Sequence, residues 1–177
     1  MKYAQNRPPM DVPNKSSQML KELSIADRMY NVPVKMPSEF PFNTFILMGL
    51  LVKIKELYPE KLESAVDLSF DAIWQQERKL ETLDQVRIIA RESLKVNEES
   101  LTELMEFAAS KDARQVLKTQ SQKLVQQGAF GFPWIVATRS LDGQSMKFFG
   151  ADRMENLAAF FHQTYRGSLA TGETARL

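Results

Sequence analysis
The sequence predicts an α/β chain that is mostly helical, in which amphipathic helices lead to a single β-hairpin and one last helix. Three observations carry that reading. Apolar residues recur at helical spacing from residue 19 to residue 124. Strand signals are confined to residues 134–138 and 146–149, on either side of an Asp142-Gly143 turn. Between the last long helix and the first strand stands Gly128-Ala129-Phe130-Gly131-Phe132-Pro133, a glycine stop followed by an X-Pro step.

Residues 1–15 read as irregular, because Pro8, Pro9 and Pro13 oppose regular structure. Ser16 or Ser17 is the expected cap of a helix carrying Met19, Leu20, Leu23, Ala26 and Tyr30. Pro33, Pro37 and Pro41 make residues 31–42 an extended connector. Asn43 is the expected cap of a second helix with Phe45, Ile46, Leu50, Ile54 and Leu57, ended by Pro59. Leu62, Ala65, Val66, Phe70, Ile73 and Trp74 form one predicted apolar stripe. Thr82-x-x-Gln85 is a capping box for a helix with Val86, Ile89 and Ala90. Asn97 caps another with Leu101, Leu104, Met105 and Ala108. A long polar helix over 111–127 stops at Gly128. After the hairpin, Asp152-x-x-Glu155 is a capping box for a helix with Met154, Leu157, Ala158, Phe161 and Tyr165, and 166–177 reads as a flexible tail.

Composition narrows the chemistry. The 177 residues hold 23 basic and 22 acidic side chains, a net charge of +1, so nothing predicts a nucleic-acid partner. The longest apolar run, 45–52, is too short to span a bilayer, and the first residues lack the apolar core of a secretory signal. With no cysteine, disulfides, thiolate metal sites and Cys-x-x-Cys redox chemistry are excluded for these residues. A single histidine, His162, makes an imidazole metal site an unexpected feature, and no metal is predicted. His162 reads as structural or exposed, and Trp74 and Trp134 as core residues.

Helix, X-Pro, strand, hairpin, strand, helix is the layout of the C-terminal half of a thioredoxin-like domain, in which the X-Pro bond is often cis. Several separated pieces add to that layout. They are Asn6-Arg7-Pro8-Pro9, the Pro33 and Pro37 connector, Gly128 to Pro133, Phe149-Gly150-Ala151-Asp152-Arg153 and the terminal Ala175-Arg176-Leu177. Together they resemble the kappa-class glutathione transferases. The resemblance implies a thioredoxin-like domain, incomplete here, with an inserted all-α domain. Its expected parts are an opening segment 1–15, an inserted helical domain 16–110, a thioredoxin-like half 111–165 and the tail 166–177. Family chains begin with a strand-helix-strand unit carrying a catalytic serine. No residue of this sequence matches that serine, and Ser16 and Ser17 do not take its place.

The resemblance implies glutathione as substrate, no metal, conjugation to an electrophile or reduction of a hydroperoxide in detoxification, and a homodimer. Its implied glutathione residues are Asn6, Phe132, Pro133, Ala151 and Asp152. Phe132 and Pro133 would receive the cysteinyl backbone as an added strand. Asp152 would meet the γ-glutamyl end, while Ala151 lacks the hydroxyl of the serine common there. Bland readings stand beside these: Asn6 as a loop asparagine, Asp152 as a helix cap. Ala175-Arg176-Leu177 resembles a peroxisomal address, in a family with peroxisomal and mitochondrial members. Missing the thiol-activating serine, the chain is expected to be poorly active alone. The rival readings are a non-catalytic short form that pairs with a full-length subunit, and a relative of the glutathione-dependent 2-hydroxychromene-2-carboxylate isomerases.

Overall fold
The computed structural model describes residue 4 and residues 6–167, except for the side chains of residues 26–29. Ala175, Arg176 and Leu177 lie outside the described residues. Packing divides the chain into two units, Pro33–Ser121 on one side and Met1–Val32 with Gln122–Leu177 on the other. The sequence reading placed the helical domain at 16–110. The observed helical unit begins after the first helix and runs into the last long one.

The helical unit contains α2 (Phe45–Leu57), α3 (Leu62–Trp74), α4 (Leu83–Leu94), α5 (Glu98–Ala109) and the first turns of α6 (Lys111–Gln126). Leu50, Ile54, Val86, Leu101 and Leu104 are sealed from solvent. Burial of each such side chain contributes about 1.5–3 kcal/mol. The Thr82–Gln85 capping box forms as expected, with both reciprocal bonds present at the start of α4. At the start of α5 the Asn97 side chain accepts from Ser100 N (2.9 Å). Asn43 acts one residue further out than expected. Its Oδ1 accepts from Phe45 N (2.9 Å), while Thr44 occupies the cap position.

The predicted stripe of α3 is corrected at Phe70, which is 57 % exposed. The buried face is Ala65, Ser69, Ala72 and Ile73, and Phe70 lies about 100° round the helix from Ser69. Ser69 tolerates burial because its hydroxyl donates to Ala65 O (2.6 Å). Helix α4 packs against α3. Trp74 instead packs on Phe40, with ring centroids 5.4 Å apart.

Helix α2 packs tightly against α5 at Gly49. A Cβ on Gly49 would lie 2.7 Å from Ala108 O and 3.2 Å from the Ala113 Cβ. Ala113 thereby joins the helical unit, which is why α6 is not cleanly on one side of the division.

The second unit contains α1 (Pro13–Tyr30), the end of α6, β1 (Trp134–Thr138), β2 (Ser145–Phe149) and α7 (Met154–Phe160). Helix α1 starts at Pro13, three residues before the expected Ser16 cap. Proline is at home in a first helical turn, where its missing N–H has no partner to lose. Ser16 sits inside that turn and its hydroxyl donates to Pro13 O (2.8 Å). Helix α6 closes at Gly128 (φ +100°), and Ala129 N returns to Leu124 O (3.0 Å). The Phe132–Pro133 bond is cis, as the X-Pro layout predicts, and Phe40–Pro41 is cis as well.

The strands pair antiparallel, with Trp134 opposite Phe149 and Thr138 opposite Ser145. One face of the hairpin buries Ala137 and Phe148, and Phe148 meets Phe160 of α7 edge-on at 6.1 Å. The Asp152–Glu155 capping box does not form. Residues Ala151–Arg153 make a 3-10 turn after Gly150 (φ +104°), and no side chain caps it. The Asp152 carboxylate folds back instead, so that a Cβ on residue 150 would lie 2.3 Å from its Oδ1.

In a helix interior alanine is favoured over glycine by about 1 kcal/mol, whereas a forced contact in a packed core costs about 1–3 kcal/mol. The atom met at residue 49 is a backbone oxygen that cannot swing aside. Gly49→Ala is therefore expected to lower stability by about 1 kcal/mol, read from urea unfolding. An unchanged or raised midpoint would show that α2 and α5 are looser than described.

Candidate functional site
The site begins with the way antiparallel ladders alternate. Gly150 N donates to Pro133 O (3.1 Å) and Arg139 N to Gln144 O (2.8 Å), at the two ends of the hairpin. With the register of the strands, this turns the N–H and C=O of Ile135 and Ala137 toward β2. Those of Trp134, Val136 and Thr138 point the other way, along the outer edge of β1. Phe132 stands in the bend just before that edge. Among the described residues its backbone N–H and C=O have no hydrogen-bond partner.

Phe132 is 68 % exposed and lines a cleft of about 520 Å³ together with Asn6, Arg7, Lys15, Phe130, Gly131 and Phe149. Phe130 packs tilted against Phe149 with ring centroids 4.6 Å apart and meets Trp134 edge-on at 5.5 Å, giving the cleft an aromatic floor. Gly131 is required there, since a Cβ would come within 2.5 Å of the Phe149 ring. Asn6 ties the N-terminal segment to this floor. Its Nδ2 donates to Phe130 O (2.7 Å) and its Oδ1 accepts from Arg7 N (2.9 Å). The two lining side chains that carry charge, Arg7 and Lys15, are cationic. An extended, anionic peptide is the ligand class that matches an unpaired strand edge beside two cations.

The structure thus brings Asn6 and Phe132 together. Pro133 follows in the chain but does not line this cleft, and its carbonyl faces the β2 side, committed to Gly150. Ala151 and Asp152 are exposed and do not line this cleft; Asp152 lies 3.4 Å from Arg153. Arg7, Lys15 and Phe149 were missed as site residues by the sequence reading. The cations looked like any solvated charges, and only the fold sets them across from Phe132.

His162 stands elsewhere, at the far end of the hairpin. Arg139 is the hub there. Its guanidinium binds both carboxylate oxygens of Asp142, Gln144 Oε1 (2.9 Å) and Phe160 O (2.9 Å), and lies over the Phe160 ring. Its Nη1 is 2.6 Å from His162 Nε2. Arginine has no acceptor, so His162 Nε2 can only be the acceptor in this contact. Hydrogen bonding to Arg139 holds the Asp142 carboxyl below the usual carboxylate range, and the same bond raises Arg139 above the ordinary guanidinium value. Among the described residues no group of His, Asp or Glu could hold a metal ion.

Comparison with known proteins places this geometry in a class. Residues 1–162 match the DSBA-like thioredoxin domain, and the chain belongs to that family. Over its whole length it is 29% identical to glutathione S-transferase kappa 1 of Homo sapiens, of which it covers 79%. It is 28% identical to glutathione S-transferase kappa 1 of Rattus norvegicus, again covering 79% of that protein. With glutathione S-transferase kappa 1 of Caenorhabditis elegans the identity is 28%, over 92% of this chain and 73% of the relative. The kappa-class resemblance drawn from scattered motifs is borne out by these matches, as is the mostly helical thioredoxin-like fold.

The Arg139–Asp142 pair has a definite pH signature. A carboxyl whose folded value is depressed stabilises above its unfolded value, and that stabilisation fades as pH falls through the folded value. Acid titration of the wild type, followed by near-ultraviolet circular dichroism, is expected to loosen the hairpin below the ordinary carboxylate range. Asp142→Asn should abolish that step. A step of the same size in the variant would remove Asp142 as its origin.

Proposed function
We propose that the cleft at Phe132 binds glutathione, and that the chain belongs to the glutathione-conjugating branch of its family. The observation that carries this reading is the unpaired backbone of Phe132 at a strand edge faced by Arg7 and Lys15. Glutathione is an extended tripeptide with two carboxylates and one ammonium, so both features suit it. The names of the kappa relatives support the same substrate. In this reading the cysteinyl amide pairs with Phe132, while Asn6 and Pro133 hold the loop in shape. Ala151 and Asp152, which do not line the cleft, are the residues this reading assigns to the γ-glutamyl end. Conjugation removes the thiol proton, forms a carbon–sulfur bond to an electrophile and expels its leaving group.

Activation of the sulfur needs a group that favours thiolate over thiol. No hydroxyl, imidazole or thiol side chain lines the cleft among the described residues. We therefore propose that these 177 residues hold glutathione without accelerating its reaction. Calorimetric titration with glutathione is the test, run beside an analogue methylated at the cysteinyl amide nitrogen. Glutathione should bind saturably, the analogue about tenfold more weakly for want of one backbone bond. Conjugation of 1-chloro-2,4-dinitrobenzene should proceed near the uncatalysed rate. Equal binding of the two peptides, or none, would refute strand-like recognition.

A second reading rests on the same edge: a strand from a partner subunit could pair with Trp134, Val136 and Thr138. Sedimentation equilibrium separates the two, since this reading requires a complex that added glutathione does not dissociate. For cellular address we propose a peroxisome, supported by Ala175-Arg176-Leu177. A fluorescent protein fused upstream of the chain should enter peroxisomes and lose them when those three residues are deleted. Entry unaffected by the deletion, or mitochondrial entry, would overturn it.

A further inference from the structure
The loop that presents Phe132 starts where α6 ends, and a lysine from β2 closes that end. Gly128 N donates to Val125 O (2.9 Å) and Ala129 N to Leu124 O (3.0 Å), the paired bonds that finish a helix at a left-handed glycine. They meet two carbonyls of the last turn, and that of Gln127 is left over. Lys147 fills this place: its Nζ donates to Gln127 O. The ammonium stands at the partially negative end of α6, where a cation is favoured. Among the described residues Lys147 has no carboxylate within ion-pair distance, so the carbonyl, not an ion pair, is what it holds.

Strand alternation puts Lys147 and Phe149 on one face of β2. Lys147 grips Gln127 at the start of the loop. The Phe149 ring packs against Phe130 and leaves no room for a side chain at Gly131. Gly150 N then takes Pro133 O. The stretch 127–133 is thus held at its first residue and its last by residues 147–150. Phe132, whose backbone has no partner among the described residues, is the part that these grips leave free.

We propose that Lys147 is a positioning residue for the Phe132 cleft. By fixing Gln127 it fixes where the loop begins, and so where the Phe132 backbone and the Phe130 ring are presented. The proposal rests on the reading of that cleft as the glutathione site. Lys147 does not line the cleft, so its effect on the ligand passes through the loop.

The test compares Lys147→Met, which keeps the aliphatic stem and removes the donor, with Lys147→Arg, which keeps a cationic donor. The side chain is exposed, so neither variant disturbs a packed core. Calorimetric titration should show glutathione held about fivefold more weakly by Lys147→Met, with most of the loss restored in Lys147→Arg. The ratio of wild type to Lys147→Met should persist at 1 M salt, where the screening length is about 3 Å and a distant cation no longer attracts the ligand. Without glutathione, the amide signals of Gly128, Ala129, Gly131 and Phe132 should move in Lys147→Met and return in Lys147→Arg. Wild-type affinity in Lys147→Met, a loss that vanishes at 1 M salt, or loop signals that stay in place would overturn the proposal. A wild type that fails to bind glutathione would overturn the reading of the cleft, while the loop signals still decide the role of Lys147.

Discussion
A peptide group removed from water needs a hydrogen-bond partner, and in a two-stranded sheet half of the groups on each strand face outward without one. That constraint governs the hairpin unit. The inward groups of Ile135 and Ala137 are met by β2, and the ladder is tied at both ends by Pro133–Gly150 and Arg139–Gln144. Among the described residues the outward groups of Trp134, Val136 and Thr138 have no backbone partner, and Phe132 stands in the bend before them. A cleft suited to an extended peptide follows from this geometry, because the edge that is incomplete as a sheet is complementary to another strand.

The two units solve the problem of stability differently. The helical unit buries a cluster of Leu, Ile, Val, Ala and Met side chains, with Gly49 allowing α2 and α5 to meet closely. The hairpin unit has little such core: Ala129, Ala137 and Phe148 are its buried apolar residues among those described. It compensates with polar and aromatic fastenings. Arg139 ties the turn to the end of α7, and Asn6 ties the opening segment to Phe130. Such fastenings are local and directional, so they hold a loop in place without filling a volume.

Those fastenings also explain the chemistry available. Asn6 spends its amide on backbone groups, which makes it a positioning residue for the aromatic floor. Arg7, next to it, and Lys15, one turn into α1, are thereby brought beside Phe132. The charge that suits an anionic peptide thus depends on a neutral asparagine holding the segment that carries it.

Much of this was legible in the sequence because it depends on neighbours along the chain. Thr82 and Gln85, Asn97, Gly128, Asp142 with Gly143, and Phe132 with Pro133 act within a few residues, so their spacing alone predicts caps, stops and turns. Leu101, Leu104 and Met105 fall on one face by helical periodicity and are buried together. Where the reading failed, a competing local conformation or a packing partner decided. Pro13 opens α1 ahead of Ser16 because proline suits a first turn. Asp152 abandons its cap because Gly150 bends the chain back toward it, and Phe70 faces outward because α4 packs on the small residues of α3. The cations beside Phe132, the bond from Asn6 to Phe130 and the tie of Arg139 to Phe160 were decided only by the tertiary structure. Each joins residues far apart in the chain, such as Asn6 and Phe130, and no periodicity along the sequence encodes a distance between them.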